Sequence, residues 1–371
     1  MDRYNFAAGP AALPSPVLEA AKAGLSNWKG SGQSVMEIPF TGDEFAEIHQ
    51  EALSSLRLLL DIPSDYHILF LQGGAYGQFS MLPMNLLRGK DRADYVVTGH
   101  WSRRAADEAR KYCSVNIAAS GSASRYTDIP DWADWSLDPQ AAYCHITTNE
   151  TADGVQFSAL PDTGPVPLVA DVTSDFLTQP VDIKLFGALY ASAQKNAGTA
   201  GLTVVIIKER LLGQPLPITP AVFDYTRLAK NASKVNTPPV WSVFIAGLMF
   251  KWIQSEGGLE EMAVRNRRKA AMLYEVIDES GLYRCAVAEK VRSSVNVCFH
   301  LPDQDLENAF LFSAQQRGLL NLKGHSASGG IRASFYNAVS EEAVAALVVF
   351  MRDFAAENSR ASYYYVRDSN G

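Results

Sequence analysis

The chain has 371 residues, of which 47% are hydrophobic and 20% are charged, a composition typical of soluble globular proteins. Its length favours one large domain with a smaller one beside it, because a single hydrophobic core stops growing near this size. The formal net charge of −7 argues against nucleic-acid binding, and no apolar run is long enough to span a membrane. The six histidines lack metal-ligand spacing and no signal peptide is recognisable, so we expect no metal site and a cytoplasmic location.

The first part of the chain alternates short apolar strands with amphipathic helices. The pattern predicts helices to about residue 87 and over 102–112, and strands at residues 67–71, 95–97, 142–146, 168–170 and 202–207. Such alternation is typical of a parallel α/β sheet covered by helices. Ligands of these sheets bind beyond the carboxyl ends of the strands.

The remainder of the chain has the pattern of a second, smaller α/β unit. Predicted strands lie at residues 294–299 and 331–335, and predicted helices at 241–253, 258–280, 305–318 and 340–356. We expect a large domain over residues 15–255 and a small domain over residues 256–357 together with 1–14. Residues 358–371 lack clear periodicity, and we expect them to form a poorly ordered tail.

Candidate functional residues follow several of the predicted strands. They are Gly73-Gly74, Trp101, Thr151, Asp171 and Lys195. An amine and a carboxylate are the two groups that pyridoxal phosphate needs, the first for a Schiff base and the second to keep its pyridinium nitrogen protonated. Because the carboxyl ends of parallel strands meet at one edge of a sheet, we expect these residues to lie together.

Each of these residues also has a structural interpretation. Lys195 and Arg332 are candidates for solvated surface charges, and Arg332 is alternatively a bidentate ligand of a substrate carboxylate. The glycine pair is either a phosphate-binding turn or a tight turn without a ligand. Trp101 either stacks on a flat ring or packs in the core. The Thr151 hydroxyl bonds either a ligand or the backbone of its own loop. Asp171 is either a ligand of the cofactor or a helix N-cap.

Several motifs occur in register with one family. They are NFAAGP at residues 5–10, SVME at 34–37, ADYV at 93–96, NET at 149–151, YASAQKN at 190–196, NTPP at 236–239, KGH at 323–325 and GGIRAS at 329–334. With them the chain resembles the phosphoserine aminotransferases, a family of fold-type I, class V pyridoxal-phosphate enzymes. The resemblance implies an α/β fold with a mostly parallel seven-stranded sheet in the large domain and a small C-terminal α/β domain. It also implies glutamate as the amino donor.

The resemblance implies roles for the candidate residues. Lys195 would carry the cofactor and move a proton, Asp171 would pair with the pyridine nitrogen, Trp101 would stack on the ring, and Thr151 would bond its phenolic oxygen. The cofactor phosphate would be held by Ala75, Tyr76 and Gln194, and by Asn236 and Thr237 of the neighbouring subunit, in a homodimer with shared sites. Arg332 would bind the substrate α-carboxylate.

The chain departs from the family where the substrate phosphate is expected. The resemblance implies basic residues at positions 40, 41 and 326, but the chain has Phe40, Thr41 and Ser326, and it has Tyr76 where Arg or a small residue is usual. Of the residues that the resemblance implies for binding the substrate phosphate, the chain keeps only His325. We therefore predict an aminotransferase for a small 2-oxo acid with a distal group other than phosphate. The alternative is an authentic phosphoserine aminotransferase that uses His325, Lys323 or another basic residue.

Two other classes of protein are alternatives to an aminotransferase. A lyase of the cysteine desulfurase kind needs a nucleophilic cysteine on a mobile loop, whereas Cys285 and Cys298 lie near or in predicted strands. A non-catalytic binding protein on the same scaffold would be free to lose Lys195 or Asp171, and the chain has both.

Overall fold

The computed structural model describes residues 3–368, with side chains described to residue 358. The helices in this range are α1 (Ser15–Asn27), α2 (Asp43–Leu59), α3 (Gly74–Leu86), α4 (His100–Ala109), α5 (Tyr225–Lys230), α6 (Val240–Ser255), α7 (Gly258–Glu279), α8 (Gln304–Gln316) and α9 (Glu341–Asp368). The strands are β1 (Tyr4–Asn5), β2 (Tyr66–Leu71), β3 (Arg92–Val97), β4 (Ser114–Ser120), β5 (Cys144–Thr147), β6 (Asn149–Glu150), β7 (Val155–Gln156), β8 (Leu168–Asp171), β9 (Ala188–Ser192), β10 (Thr203–Lys208), β11 (Asn296–Phe299), β12 (Leu319–Leu320) and β13 (Ile331–Ser334). None of these helices is long and apolar enough to cross a membrane.

The main sheet has seven strands in the order β2-β10-β9-β8-β5-β3-β4. Strand β10 runs antiparallel to both of its neighbours, and the other adjacent pairs are parallel. The mostly parallel seven-stranded sheet implied by the family resemblance is therefore confirmed. The parallel strands β5, β8 and β9 end at the same edge, which is where the candidate residues follow them.

The main sheet is buried on both faces, which explains why its strands are nearly continuous apolar runs. Ile68 and Phe70 of β2 point into a core shared with α1, α2 and α6, whereas Leu69 and Leu71 point to the opposite face with α3, α4 and α5. Burying a side chain of this size contributes roughly 1.5–3 kcal/mol. The two cores hold the strands rigidly and so fix the positions of the residues at their ends.

A separate core lies in the C-terminal part of the chain. It is built from α7, α8, α9 and the antiparallel pair of β11 and β13, and it includes Phe6 near the N-terminus. The N-terminal strand β1 pairs in parallel with β12, with Tyr4 opposite Leu319. The first residues of the chain thus pack with this smaller unit, while the proposed domain boundaries stay a prediction.

Two element boundaries differ from the sequence expectation. Helix α4 begins at His100 instead of residue 102, because carboxylates distant in sequence accept its first amides, as described below. Helix α9 continues to Asp368 and includes most of the segment that we expected to be a poorly ordered tail. A helix that is already nucleated can continue by local backbone bonding without a clear apolar face. Residues 369–371 of that segment lie outside the described residues.

Candidate active site

A cavity of about 340 Å³ lies at the carboxyl ends of the parallel strands. All the residues that were predicted to meet at this edge line it, namely Gly73, Gly74, Trp101, Thr151, Asp171 and Lys195. Ala75, Tyr76, Gln194, His325 and Arg332 line it as well. The structure therefore brings together the candidate residues that the strand pattern placed at one edge.

Five other candidates do not line this cavity. Phe40 packs against the core around α2, and Thr41 and Ser326 are exposed. Asn236 and Thr237 are exposed and are joined to Gln72, whose side chain bonds the Asn236 side chain at 3.2 Å and the Thr237 carbonyl at 3.0 Å. The roles of these five residues, which the resemblance assigns across a subunit boundary or to the substrate phosphate, stay predictions.

Lys195 lies in the turn that follows β9, with its amine inside the cavity. Its Nζ donates a hydrogen bond to the Thr151 hydroxyl, and Gly9 approaches it so closely that a Cβ there would lie 3.2 Å from the Lys195 Cγ. Burial lowers the pKa of Lys195 to about 8, with the Asp171 charge opposing and the Arg332 charge adding to this effect. An amine with this pKa can lose and regain a proton near neutral pH, as nucleophilic and acid–base lysines must.

Asp171 is the last residue of β8, and its side chain is 4% exposed. Its Oδ1 accepts a hydrogen bond from the Thr173 amide at 2.9 Å, and the buried Tyr190 side chain lowers the pKa of its carboxyl. Burial raises the pKa of Asp171, and the bonds from Thr173 and the charge of Lys195 oppose this shift. Behind it, the Tyr190 hydroxyl lies 3.0 Å from Nε2 of the buried His145. The Thr173 amide thus holds the carboxylate at the cavity, with a pair of buried polar side chains behind it.

Trp101 is held by Glu150, whose role the sequence analysis missed. The Glu150 carboxylate accepts the Trp101 amide at 2.8 Å and the Ser102 amide at 2.8 Å, and Asp153 accepts the His100 amide at 2.9 Å. These bonds satisfy the first amides of α4, which a helix leaves without partners. The NET motif marked Glu150 as a landmark, but its contact with α4 spans many residues and has no local signature.

The N-terminus of α3 differs in one detail from the expectation. Ala75 was expected to donate its amide to a cofactor phosphate, but in the structure this amide donates to the Ser192 hydroxyl at 2.7 Å, and the Gly74 amide donates to Thr203 at 2.8 Å. Ser192 lines the cavity, and since its oxygen accepts from Ala75, its own proton is available to a ligand. Ser192 is the last residue of β9 and part of the YASAQKN motif, but no role was predicted for it.

Arg332 lies on β13 opposite Cys298 of β11, and its guanidinium reaches the cavity. One hydrogen bond to the Thr151 carbonyl, at 3.3 Å, holds it in place. A guanidinium carries five N–H donors in a planar fork, so donors remain for a bidentate bond to a carboxylate. Arg332 forms no ion pair with any acidic side chain described up to residue 358, which argues against its interpretation as a surface ion pair.

The cysteines do not suit a lyase mechanism. Cys298 Sγ lies 3.5 Å from the Ala152 carbonyl, and burial raises the pKa of its thiol to about 12. Burial also raises the pKa of Cys285. The nucleophile in such enzymes is the thiolate, which these environments disfavour.

The side chains of the cavity fit pyridoxal phosphate. A buried amine and a buried carboxylate face the same space, and the aromatic ring of Trp101 lies beside them, 5.8 Å from the Lys195 amine. The Trp101 Nε1 is buried without a partner among the described residues. The Ser192 hydroxyl, which lines the cavity beside the start of α3, can donate to an anionic group there. This donor set provides the ring, nitrogen and phosphate contacts that the cofactor requires.

Comparison with known proteins agrees with this geometry. The family model of the class-V aminotransferases matches residues 3–347. The phosphoserine aminotransferase of Laribacter hongkongensis is 53% identical over 356 residues, 96% of this chain and 99% of the relative, and that of Azotobacter vinelandii is 50% identical over 96% of this chain and 98% of the relative.

Solved structures show the same fold. The phosphoserine aminotransferase of Bacillus circulans subsp. alkalophilus superposes with a TM-score of 0.94 at 44% identity, covering 96% of this chain and 99% of that one. The enzyme of Trichomonas vaginalis with bound pyridoxal phosphate superposes with a TM-score of 0.91 at 39% identity, covering 95% of this chain and 100% of that one. This chain therefore belongs to the pyridoxal-phosphate-dependent class-V aminotransferases and, within them, to the phosphoserine aminotransferase family.

Proposed function

We propose that the protein transfers the amino group of glutamate to 3-phosphohydroxypyruvate, giving O-phosphoserine. The observation that carries this proposal is the identity of 50–53% with several phosphoserine aminotransferases over nearly their whole length. It favours the alternative of the sequence analysis over its main prediction of a non-phosphate substrate.

The cavity supports the chemistry of amino transfer. Pyridoxal phosphate supplies an electron sink for a carbanion at the substrate Cα. Lys195, with a pKa near 8, can accept the proton from the substrate Cα and donate a proton again later in the reaction. Asp171 orients and electrostatically supports the ring, and Arg332 holds the α-carboxylate.

A second candidate function is favoured by one specific observation. Phe40, Thr41 and Ser326 stand where the resemblance implies basic residues, so an acceptor with an uncharged or differently charged distal group is the competing proposal. A phosphate dianion is normally held by charge-assisted bonds, each worth roughly 1.5–3 kcal/mol. Loss of two such bonds without replacement would lower kcat/KM at least about a hundredfold, since each 1.4 kcal/mol is tenfold.

A substrate comparison decides between these two proposals. With glutamate as donor, we expect kcat/KM for 3-phosphohydroxypyruvate to lie in the ordinary range of about 10⁴–10⁸ M⁻¹s⁻¹ and to exceed that for a panel of unphosphorylated 2-oxo acids. The triple variant Phe40→His, Thr41→Arg, Ser326→Arg should then change this value little. A low wild-type value that the triple variant raises a hundredfold or more would establish the second candidate instead.

We also propose that the active unit is a homodimer with shared sites. Asn236 and Thr237 are exposed and lie outside the cavity of their own subunit, as expected for residues that reach a neighbour's cofactor. Lys195→Ala and the double variant Asn236→Ala, Thr237→Ala should each be inactive. Mixing them should restore up to about a quarter of wild-type activity, because half of randomly mixed dimers are hybrids with one intact site. No recovery in hybrids verified by native mass spectrometry would contradict shared sites.

A further inference from the structure

The loop before β13 places an imidazole at the mouth of the cavity. His325 lines the cavity beside Trp101, with ring centroids 5.7 Å apart. Its Nδ1 accepts a hydrogen bond from the Ala327 amide at 3.2 Å, which places the ring proton of the neutral form on Nε2. His325 can therefore donate to an anion even when it is uncharged.

A second imidazole, that of His100 on α4, lies next to His325. The His100 ring centroid is 4.7 Å from that of His325, and its Nδ1 is buried without a partner among the described residues. Arg104 follows one helical turn later, so it shares a face of α4 with His100. The Arg104 side chain is exposed and forms no ion pair with any acidic side chain described up to residue 358.

The electrostatics agree with this arrangement. Burial is the main cause that lowers the pKa of both His100 and His325, and the positive charge of Arg104 lowers the pKa of both further. The charge of its neighbour Arg103 affects His100 alone. The charge of Arg104 thus acts on both rings, whereas that of Arg103 acts on His100 alone.

We propose that His325, His100 and Arg104 together bind the distal anionic group of the substrate and replace the basic residues expected at positions 40, 41 and 326. The identity of that group as phosphate rests on the proposed function. Arg332 and His325 line the same cavity, so a substrate whose α-carboxylate bonds Arg332 lies within the space that His325 borders, and His100 adjoins His325 beside Trp101. One fixed cation and two imidazole donors suit a compact anion.

The acidic group nearest the cluster is already bonded. Asp153 accepts the His100 amide at 2.9 Å and the Ser328 hydroxyl at 2.9 Å, so it ties α4 to the loop that carries His325. Its negative charge raises the pKa of both imidazoles and so favours their cationic forms. Asp153 therefore helps to hold the cluster together, and the other charged groups that act on His325 are the cations Lys195 and Arg332.

Single-turnover reactions of the pyridoxal-phosphate enzyme test this inference. The probes are O-phospho-L-serine, L-glutamate and L-alanine, whose distal groups are a dianion, a carboxylate and a methyl group. Arg104→Ala should lower the second-order rate constant for O-phospho-L-serine by about 10–100-fold, the loss expected for one hydrogen bond to a charged group, and leave that for L-alanine unchanged. Arg104→Lys should recover part of the loss, and Arg103→Ala serves as the matched control and should match wild type with all three.

Binding provides a second measurement. His325→Ala should weaken competitive inhibition by inorganic phosphate, and the double variant with Arg104→Ala should weaken it further. The inference is overturned if Arg104→Ala lowers the three rate constants equally, if it leaves the ratio of O-phospho-L-serine to L-alanine within about twofold, or if Arg103→Ala has the same effect. If the wild-type enzyme prefers unphosphorylated acids, the proposed function is wrong but the inference about the cluster is not. The ratio of the rate constants for L-glutamate and L-alanine still tests whether the cluster binds an anionic distal group.

Discussion

We expect Lys195→Ala to lower kcat/KM for amino transfer by at least about 10³-fold, because the variant loses both a covalent attachment point and a positioned acid–base group. The amine is buried, bonds Thr151 and has a pKa near 8, all of which distinguish it from a solvated lysine. Reduction with borohydride followed by peptide mass spectrometry should find the cofactor attached to the Lys195 peptide in wild type and to no peptide in the variant.

The matched control is Lys22→Ala, which removes an exposed lysine on α1. It should leave both the rate and the labelled peptide unchanged. Near wild-type turnover by Lys195→Ala, or cofactor attached to another lysine in wild type, would show that the assignment is wrong.

The second large effect is expected for Asp171→Asn. The substitution keeps the shape and the bond from the Thr173 amide but removes the negative charge that faces the cavity. We expect kcat to fall about 10²–10³-fold, the range found when one preorganised electrostatic contact is lost. Cofactor affinity should weaken as well, measured by equilibrium dialysis, because the neutral side chain no longer attracts a protonated ring nitrogen.

Asp175→Asn is a suitable control for this effect. Asp175 is partly buried, bonds the Thr148 hydroxyl at 2.6 Å and has its pKa raised by burial to about 6, but it does not line the active-site cavity. Its replacement should change thermal stability while the folded variant keeps a rate within a few-fold of wild type. Equal rate losses in the two variants would indicate a general effect of disturbing β8 and its loop, not a role of the Asp171 charge.

The cofactor side of the cavity was predictable from sequence for a physical reason. Trp101, Thr151, Asp171 and Lys195 each follow a strand, and the strand pattern alone brings strand ends to one edge of a parallel sheet. The antiparallel direction of β10 was not predictable in this way, because an apolar run carries no information about strand direction.

The supporting contacts could not be predicted because they join residues far apart in the chain. The Glu150 carboxylate caps α4, which lies about fifty positions before it in the chain, and the Tyr190 hydroxyl lies 3.0 Å from His145. Nothing local in α4 shows that the charge of Arg104 acts on His325. Amino transfer and the cofactor are confirmed by family membership, whereas the acceptor, the shared homodimer site, the absence of a metal and the cytoplasmic location stay predictions.

The pairing of β1 with β12 has a consequence for folding during synthesis. Tyr4 and Asn5 are synthesised about 315 residues before their partners Leu319 and Leu320. At about 5–20 residues per second, the N-terminal strand waits on the order of 15–60 s for its partner. Throughout that interval Phe6 has no core to enter and Gly9 no settled place against Lys195. The nascent chain therefore cannot pair β1 until β12 has been made, and an extension fused directly before β1 would hinder this late step more than one fused elsewhere.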